Sequence, residues 1–265
     1  MKRRSVSEAH ARYLRRIRID AHIVRLLRIA VLIGFLLLWE VGAALRWFDP
    51  FILSSPSRVY RTIVRLYQNG SLWIHIGTTL LETVLGFLLG TALGAFFAVL
   101  LWWMPKLNRI LDPYLVVLNA LPKIALGPVL IIWIGAGMAS IVVMGVLVSL
   151  VVTTVTVLNG FLAATDEKQL LMRTLGATKL QIFTKVVLPA GIPDLISALK
   201  ISVGMSWVGV IVGEYLVSKA GLGYLIVYGG QVFKLDLVMA SVTVLCVLAA
   251  LMYYAVAFLE KKVRA

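Results

Sequence analysis

Cysteine is nearly absent from this sequence, and its absence excludes two classes of protein. Cys246 is the only cysteine, and it lies within a run of apolar residues. A single cysteine cannot form an internal disulfide or supply the thiolate cluster of a structural zinc site. The chain is therefore neither a disulfide-stabilised secreted domain nor a cysteine-based metal protein.

Motifs that carry catalysis are missing as well. The sequence has no G-x-x-x-x-G-K-[ST] phosphate loop, no H-E-x-x-H and no G-x-S-x-G. Its three histidines, His10, His22 and His75, are far apart along the chain, which is typical of surface or headgroup residues rather than metal ligands. We therefore predict no catalytic residue, no metal ligand and no cofactor bound by this chain.

Charged residues are scarce, whereas apolar residues are abundant. Of 265 residues, 61% are hydrophobic and 14% are charged, and the mean hydropathy is +0.96. A membrane-spanning helix takes about 20 apolar residues. We predict an all-α membrane protein with six transmembrane helices. The predicted spans are 29–45, 79–103, 113–134, 141–162, 193–217 and 237–259.

A net charge of +14 accompanies this apolar composition. In a soluble protein it would indicate nucleic-acid binding, but in a membrane protein it indicates basic flanks beside anionic lipid. We predict a basic amphipathic cytoplasmic segment at 1–28, on the inner leaflet, before a membrane domain at 29–265. We predict no nucleic-acid partner, although a basic arm is the alternative reading of 1–28. Apolar residues recur there at helical spacing: Leu14, Ile17, Ala21 and Val24.

Lysine and arginine are distributed unequally between the two sides of the predicted spans. The N-terminal cluster, the loops at 105–112 and 165–189 and the C-terminus together hold more of them than the intervening loops. Cytoplasmic loops of membrane proteins carry an excess of these residues. We therefore predict that both termini and residues 165–189 are cytoplasmic.

The polar interval at 165–189, TDEKQLLMRTLGATKLQIFTKVVLP, is here named the two-helix loop. Thr165 or Asp166 can cap a first short helix. Gly176 can adopt the left-handed conformation that ends a helix. The loop is therefore predicted to begin with one helical segment that stops at a sharp glycine turn.

A second helix is predicted directly after that turn. Thr178 and Gln181 fit a T-x-x-Q capping box. Leu188-Pro189 is expected to stop the second helix, because proline is unfavourable inside one. Two short helices around a glycine turn, between two apolar spans, are suited to docking on another protein.

The third predicted span contains a break. It is interrupted at Leu121-Pro122-Lys123 and again at Gly127-Pro128. The candidate residues at this break are Asn119, Pro122 and Lys123. A broken helix at membrane depth is tolerated where it is buried in protein or lines a cavity. We predict that these three residues line a translocation path, and a simple kink explains the break equally well.

The fifth predicted span carries three further path candidates, Ser202, Ser206 and Glu214. The two serines lie at helical spacing among small residues. A carboxylate within a membrane is costly and is a functional candidate by default. Glu214 lies near the end of the span, however, so an interfacial position is the alternative.

Glycine marks two other features of the sequence. Gly86, Gly90 and Gly94 recur every fourth residue in the second span, which predicts a smooth face where another helix packs closely. Between the fifth and sixth spans, residues 218–236 are predicted to lie outside the membrane as a segment of turns. The glycines expected to supply those turns are Gly221, Gly223, Gly229 and Gly230.

The loop contains TLGAT and, after a short spacer, VVLPAGIP. In this it resembles the cytoplasmic loop of permease subunits in binding-protein-dependent ATP-driven importers. Gly176 and Leu188-Pro189 keep the family's register, whereas Leu170, Leu171 and Met172 occupy its Glu-Ala-Ala positions. The resemblance extends from about Leu53 to the C-terminus. Within the family, LDPYLVVLNALPKIALGPVLIIWIG and WVGVIVGEYLVSKAGLGYLI are most similar to the nitrate/sulfonate/taurine-type branch.

The resemblance implies a type I importer permease fold, like that of methionine importers, in the bacterial plasma (inner) membrane. It also implies a homodimer, two ATP-binding subunits that hold ATP and magnesium, and an extracytoplasmic substrate-binding protein. The solute would be a sulfonate, a nitrate- or taurine-like anion, or a vitamin-type precursor. The residues implied to couple to the ATPase are Leu171, Arg173, Thr174, Leu175, Gly176, Ala177, Thr178, Leu188 and Pro189.

A stand-alone secondary transporter or channel is the alternative function. Such proteins usually show inverted repeats and intramembrane charges that couple to ions. The sequence has no convincing repeat, and Glu82, Lys123 and Glu214 are few. Uptake that persists without any ATPase would favour this alternative.

Overall fold

The computed structural model describes residues 8–164 and 166–264, and the regular structure within these ranges is helical. The chain divides into two compact units, 1–62 and 63–265. Each unit is described by itself.

The first unit contains a long helix α1 (Glu8–Ala44), a four-residue helix α2 (Pro50–Leu53) and the start of helix α3 (Pro56–Gln68). In α1, the stretch His22–Ala44 is long and apolar enough to cross a membrane. The helix continues without a break through residue 28, so the predicted boundary between segment and span is not a break in the backbone. Residues 1–7 lie outside the described residues, and the division at 28/29 stays a prediction.

Besides the end of α3, the described residues of the second unit form nine α-helices and two short irregular turns. A 3₁₀ turn, Lys123–Leu126, precedes α6, and a π-helical turn, Phe183–Val187, precedes α10. The helices are α4 (Ser71–Trp103), α5 (Pro105–Ala120), α6 (Gly127–Ile134), α7 (Met138–Leu162), α8 (Asp166–Thr174), α9 (Lys179–Ile182), α10 (Leu188–Val217), α11 (Leu222–Gln231) and α12 (Leu235–Arg264).

Five helical stretches of the described residues are long and apolar enough to cross a membrane. The pair Pro105–Ala120 and Lys123–Ile134 passes the same test together, and its two parts are bent by 86°. Counting that pair as one broken span gives six, the number predicted from the sequence. The bend falls at Leu121-Pro122, where the break was expected, whereas α4 begins at Ser71 rather than at Thr79.

Helix α7 packs between α4 and α10, and glycines lie at the contacts. A Cβ added to Gly86 would lie 3.4 Å from the Cα of Gly145, and one added to Gly209 would lie 2.7 Å from the same Cα. Without a hydrophobic driving force between helices in lipid, such close contact supplies the packing energy. The predicted smooth face of the second span is therefore confirmed. Its other glycines, Gly90 and Gly94, contact Ser149 and Thr153 of α7.

The predicted stop at Leu188-Pro189 is wrong. The second loop helix passes through the π-helical turn Phe183–Val187 directly into α10, which begins at Leu188 with Pro189 in its first turn. Proline is tolerated there because it has no N–H to donate and follows the π-helical turn, where the regular i→i−4 bonding is already interrupted. The dipeptide therefore starts the fifth span instead of ending the loop.

The predicted segment of turns at 218–236 is also wrong, because it contains helix α11. Of its four glycines, Gly221 has a positive φ, +114°, and it starts the helix. Gly223 and Gly229 lie inside α11, at places where an added Cβ would overlap Glu214 and Val238. They allow close packing and do not form turns.

Candidate functional site

The first half of the two-helix loop ends in a Schellman motif. The N–H of Gly176 donates to the carbonyl of Arg173 at 3.0 Å, and the N–H of Ala177 donates to that of Met172 at 2.9 Å. Gly176 has a φ of +78°. This bonding pattern satisfies the last carbonyls of α8 and requires a residue that tolerates the left-handed conformation. The glycine turn predicted from the sequence is confirmed, although Thr165 lies outside the described residues.

The second half begins with the predicted capping box. The N–H of Gln181 donates to Oγ1 of Thr178 at 3.3 Å, and the N–H of Thr178 donates to Oε1 of Gln181 at 2.8 Å. These reciprocal bonds satisfy two amides at the start of α9. Four residues therefore join the two helices, and both helix ends are closed by local hydrogen bonds.

The outer face of the loop exposes a group of leucines. Leu175, beside the glycine turn, is 73% exposed. The same helices carry polar residues, including Glu167 and Arg173, so this face is not suited to lipid. A cluster of exposed leucines on a polar segment indicates a protein contact surface. The other exposed leucines are Leu170, Leu171 and Leu180, and the exposed polar residues Thr174 and Thr178 lie among them.

The inner face of the loop packs on the ends of the spans. Phe183 contacts Trp102 of α4 and Phe161 of α7, with ring centroids 4.9 and 5.6 Å apart. Ala177 and Leu188 are half-buried against the same apolar cluster. Ala177 thus lies on the inner side of the loop, whereas Leu171 and Leu175 lie on the outer side. Other members of the cluster are Ile182 and Val187.

The bend between α5 and α6 holds the three path candidates of the third span. Asn119 and Pro122 are exposed and Lys123 is half-buried. The ammonium of Lys123 donates to the backbone carbonyl of Asn119 at 3.1 Å. A cation at the C-terminal end of α5 is favourable because the last carbonyls of a helix are unsatisfied. The break therefore places the positive charge of Lys123 at an exposed part of the backbone of this chain.

The serine candidates of the fifth span lie elsewhere, between helices. Ser202 and Ser206 of α10 are fully buried. Oγ of Ser202 is 3.0 Å from Oγ1 of Thr91 on α4, within hydrogen-bonding distance. In this conformation of the single chain the serines serve helix packing, and their place on a path stays a prediction.

Glu214, the last path candidate, holds the first turn of α11. Its Oε2 accepts hydrogen bonds from the N–H groups of Gly223 and Tyr224. The carboxyl group of Glu82 on α4 lies beside it, and both side chains are buried. The start of a helix favours an anionic acceptor because its free N–H groups point outward along the axis.

Two further residues complete this arrangement: His75, which was expected at the surface or among headgroups and is half-buried, and Thr79, which the sequence analysis did not single out. Nδ1 of His75 accepts from the N–H of Gly221 at 3.0 Å, and Oγ1 of Thr79 accepts from the N–H of Leu222 at 2.7 Å. His75, Thr79 and Glu82 follow at helical spacing on α4, so a polar stripe in an apolar span is the signal that could have found them. Within the described residues, no group of three His, Cys, Asp or Glu could hold a metal ion.

Comparison with known proteins finds several that are similar to this chain. A family model described as a binding-protein-dependent transport system inner membrane component matches residues 90–265. The chain is 34% identical, over 89% of its length and 96% of the relative, to a probable ABC transporter permease protein of Haemophilus influenzae. It is 29% identical, over 85% of its length and 82% of the relative, to a putative aliphatic sulfonates transport permease protein of Bacillus subtilis.

The fold is similar to that of a solved structure, the MetNI methionine ABC transporter in an inward-facing conformation. The TM-score is 0.64 over 72% of this chain and 95% of that chain, at 22% sequence identity. At an identity this low, the structural match shows the shared fold alone and does not identify the solute.

Proposed function

The chain belongs to the family of binding-protein-dependent transport system inner membrane components, and from this premise we propose that its two-helix loop docks on an ATP-binding subunit. Members of the family are the membrane permeases of ATP-driven importers. ATP is hydrolysed by a separate subunit, and a binding protein delivers the solute. The finer proposals concern the docking surface, the number of permease copies and the solute.

The exposed leucines of the two-helix loop are the observation that carries the docking proposal. Leu175 is exposed beside a glycine turn whose hydrogen bonds are complete, so it is presented on a rigid support. The loop would insert Leu171 and Leu175 into a groove of the ATPase, with Arg173, Thr174 and Thr178 at its rim. The excess of lysine and arginine in this loop supports a cytoplasmic position for it and for both termini.

ATP binding would then move the loop as a rigid body. Because α9 runs through the π-helical turn into α10 without a gap, a displacement of the loop is passed directly to the fifth span. Leu188 and Pro189, at the start of α10, would set the angle of that connection. Rigid-body motion of packed helices is a common form of such transitions.

We propose a small anionic solute of the sulfonate type, carried between two copies of this chain. The relative from Bacillus subtilis is named for aliphatic sulfonates. In this chain Lys123 supplies a positive charge at a broken span, beside the exposed Asn119 and Pro122. Ser202, Ser206 and Glu214 would line the path only after α10, the fifth span, moves away from α4 and α7.

The docking proposal is tested by Gly176→Val in the complete importer. An added Cβ at Gly176 meets no heavy atom of this chain within 4 Å, so within the chain the effect of the substitution is on the backbone conformation. Forcing a branched residue into the left-handed region costs about 1–2 kcal/mol, which corresponds to roughly a tenfold change in an equilibrium. We expect ATP-driven solute uptake into proteoliposomes to fall about tenfold while ATP hydrolysis continues.

Gly70→Val is the matched control. Gly70 also has a positive φ, +74°, with no heavy atom within 4 Å of an added Cβ, but it precedes α4 rather than the loop. It imposes the same backbone strain away from the docking surface, and uptake should stay near the unsubstituted level. Unimpaired uptake with Gly176→Val would refute the docking proposal, and uptake without any ATPase would favour a stand-alone transporter.

A further inference from the structure

Lys179, the first residue of α9, reaches across to the end of α4. Its ammonium donates to the backbone carbonyl of Trp103, the last residue of α4. It also lies 5.7 Å from the ring centroid of Trp102 and 5.4 Å from that of Trp103. One side chain of the loop thus makes three polar or cation–π contacts with the end of a span 76 positions away in sequence.

A positive charge is favourable at the C-terminal end of α4. The last four carbonyls of a helix have no intrahelical partner, and a positive charge there is favourable. The last turn of α4 contains no basic residue of its own. Lys179 therefore supplies from the two-helix loop what the span lacks.

The loop also contacts α4 through apolar and aromatic side chains. Phe183 packs on Trp102 and lies 6.1 Å from the ring centroid of Trp103. On the side of α8, a cavity of about 390 Å³ separates the loop from the ends of α4 and α5, with Asn108 and Arg173 in its lining. Lys179 is itself one of the residues that line this cavity.

We propose that Lys179 is a positioning residue that ties the two-helix loop to α4, so that a displacement of the loop moves the second span as well as the fifth. The proposal rests on the docking function proposed above for the loop. The loop is joined to α10 through the continuous backbone, whereas it is joined to α4 only by contacts of its side chains. Removing the Lys179 contacts should therefore weaken transmission to α4 and leave the docking surface intact.

An exposed lysine in a docking loop could instead contact the ATPase. The geometry favours the tie, because the ammonium of Lys179 already has a carbonyl acceptor and two aromatic rings. Lys185, in the π-helical turn, is also exposed, and no hydrogen bond or ion pair is recorded for it in the part of the chain that the structure describes. It is the matched control for charge loss within the same loop.

The test uses the complete importer with three variants: Lys179→Met, Lys179→Arg and Lys185→Met. Methionine keeps the length of the chain and removes the charge, whereas arginine keeps both cation–π contact and donor capacity. We expect Lys179→Met to retain the co-purified ATPase and its basal ATP hydrolysis, and to lower ATP-driven uptake about fivefold, as for other residues along a coupling route. Lys179→Arg should restore most of the uptake, and Lys185→Met should leave it unchanged.

Tryptophan fluorescence tests the Lys179 contacts themselves, whereas lowered uptake with retained ATP hydrolysis is the readout that a merely local structural role would not give. Loss of the cation above Trp102 and Trp103 should change the emission of Lys179→Met, and the change should disappear in a Trp102→Phe/Trp103→Phe background. Unchanged emission or unchanged uptake in Lys179→Met would overturn the proposal.

Loss of the ATPase from the purified Lys179→Met complex would also overturn it, by showing that the lysine contacts the partner. That outcome would leave the docking function of the loop in place. Failure of the docking function itself would appear separately, as normal uptake with Gly176→Val.

Discussion

The first turn of α11 is held by side chains of two other helices. Four successive N–H groups, from Gly221 to Tyr224, donate to His75, Thr79 and Glu214. The first N–H groups of a helix have no partner within it, and an unsatisfied buried group costs as much as a lost hydrogen bond. Three residues far apart in sequence therefore fix where α11 lies against α4 and α10.

Thr79→Val tests this arrangement at a single side chain. Valine keeps the shape of the side chain but removes the acceptor that the N–H of Leu222 uses at 2.7 Å. Both residues are fully buried, so we expect the free energy of unfolding to fall by about 1–3 kcal/mol. Thermal unfolding of the purified protein in detergent measures the change. Thr79→Ser keeps the hydroxyl and is expected to lose less, and equal losses in both variants would contradict this explanation.

At the scale of helices, stability depends on the close approach of α10 and α4 to α7. A Cβ at Gly209 would lie 2.7 Å from the Cα of Gly145 and 2.8 Å from the carbonyl oxygen of Met144. Both are backbone atoms, so no side-chain rotation can relieve the overlap. The helices would have to separate, and packing is the main force that holds helices together in lipid.

Gly209→Ala is therefore expected to destabilise the protein, although alanine favours an isolated helix by about 1 kcal/mol over glycine. The overlap should outweigh that gain, for a net loss of about 1–3 kcal/mol in the free energy of unfolding. Gly204→Ala on the same helix is the control, because an added Cβ there meets no heavy atom within 4 Å. Detergent thermal unfolding should show a lower midpoint for Gly209→Ala and an equal or higher one for Gly204→Ala. The reverse order would refute the contact at Gly145.

The sequence alone predicts those elements whose hydrogen bonds join residues close together in the chain. The turn at Gly176 and the capping box at Thr178 are formed within six residues, so both were predicted correctly. The break at Pro122 was predicted for the same reason. Helix α11 was missed because its start depends on acceptors from α4, some 143 to 146 positions earlier.

The predicted stop at Leu188-Pro189 was wrong for a different reason. Proline can end a helix or begin one, and the local sequence at Leu188-Pro189 fits both. The choice is made by packing, because Val187 is fully buried in the cluster that joins the loop to the spans. The inward position of Ala177 likewise follows from that cluster and not from its own sequence neighbours.

At the scale of the whole molecule, α5 is covered on one side only. Leu107, Leu111 and Leu115 pack against the core cluster, whereas Val116 and Val117 are exposed. Within the part of the chain that the structure describes, no side chain of α5 is fully buried. The helix ends at the exposed Asn119 and the 86° bend. Polar side chains and irregular backbone at membrane depth are tolerated where they face protein or a water-filled cavity. A second copy of the chain, related by a two-fold axis, would supply that cover and close the path.

Crosslinking through Asn119 tests this homodimer directly. Cys246 is the only cysteine, so Cys246→Ser gives a background without thiols. Because α5 faces the two-fold axis in the proposed dimer, Asn119→Cys in this background should join two copies when a short bismaleimide is added to native membranes. Phe258→Cys on α12 is the control, because Phe258 is 70% exposed on an apolar helix suited to lipid. A dimer band on gels from Asn119→Cys alone would support the arrangement. Crosslinks from Phe258→Cys alone would place the second copy against α12 instead, and the bend at Pro122 would then require another partner to shield it from lipid.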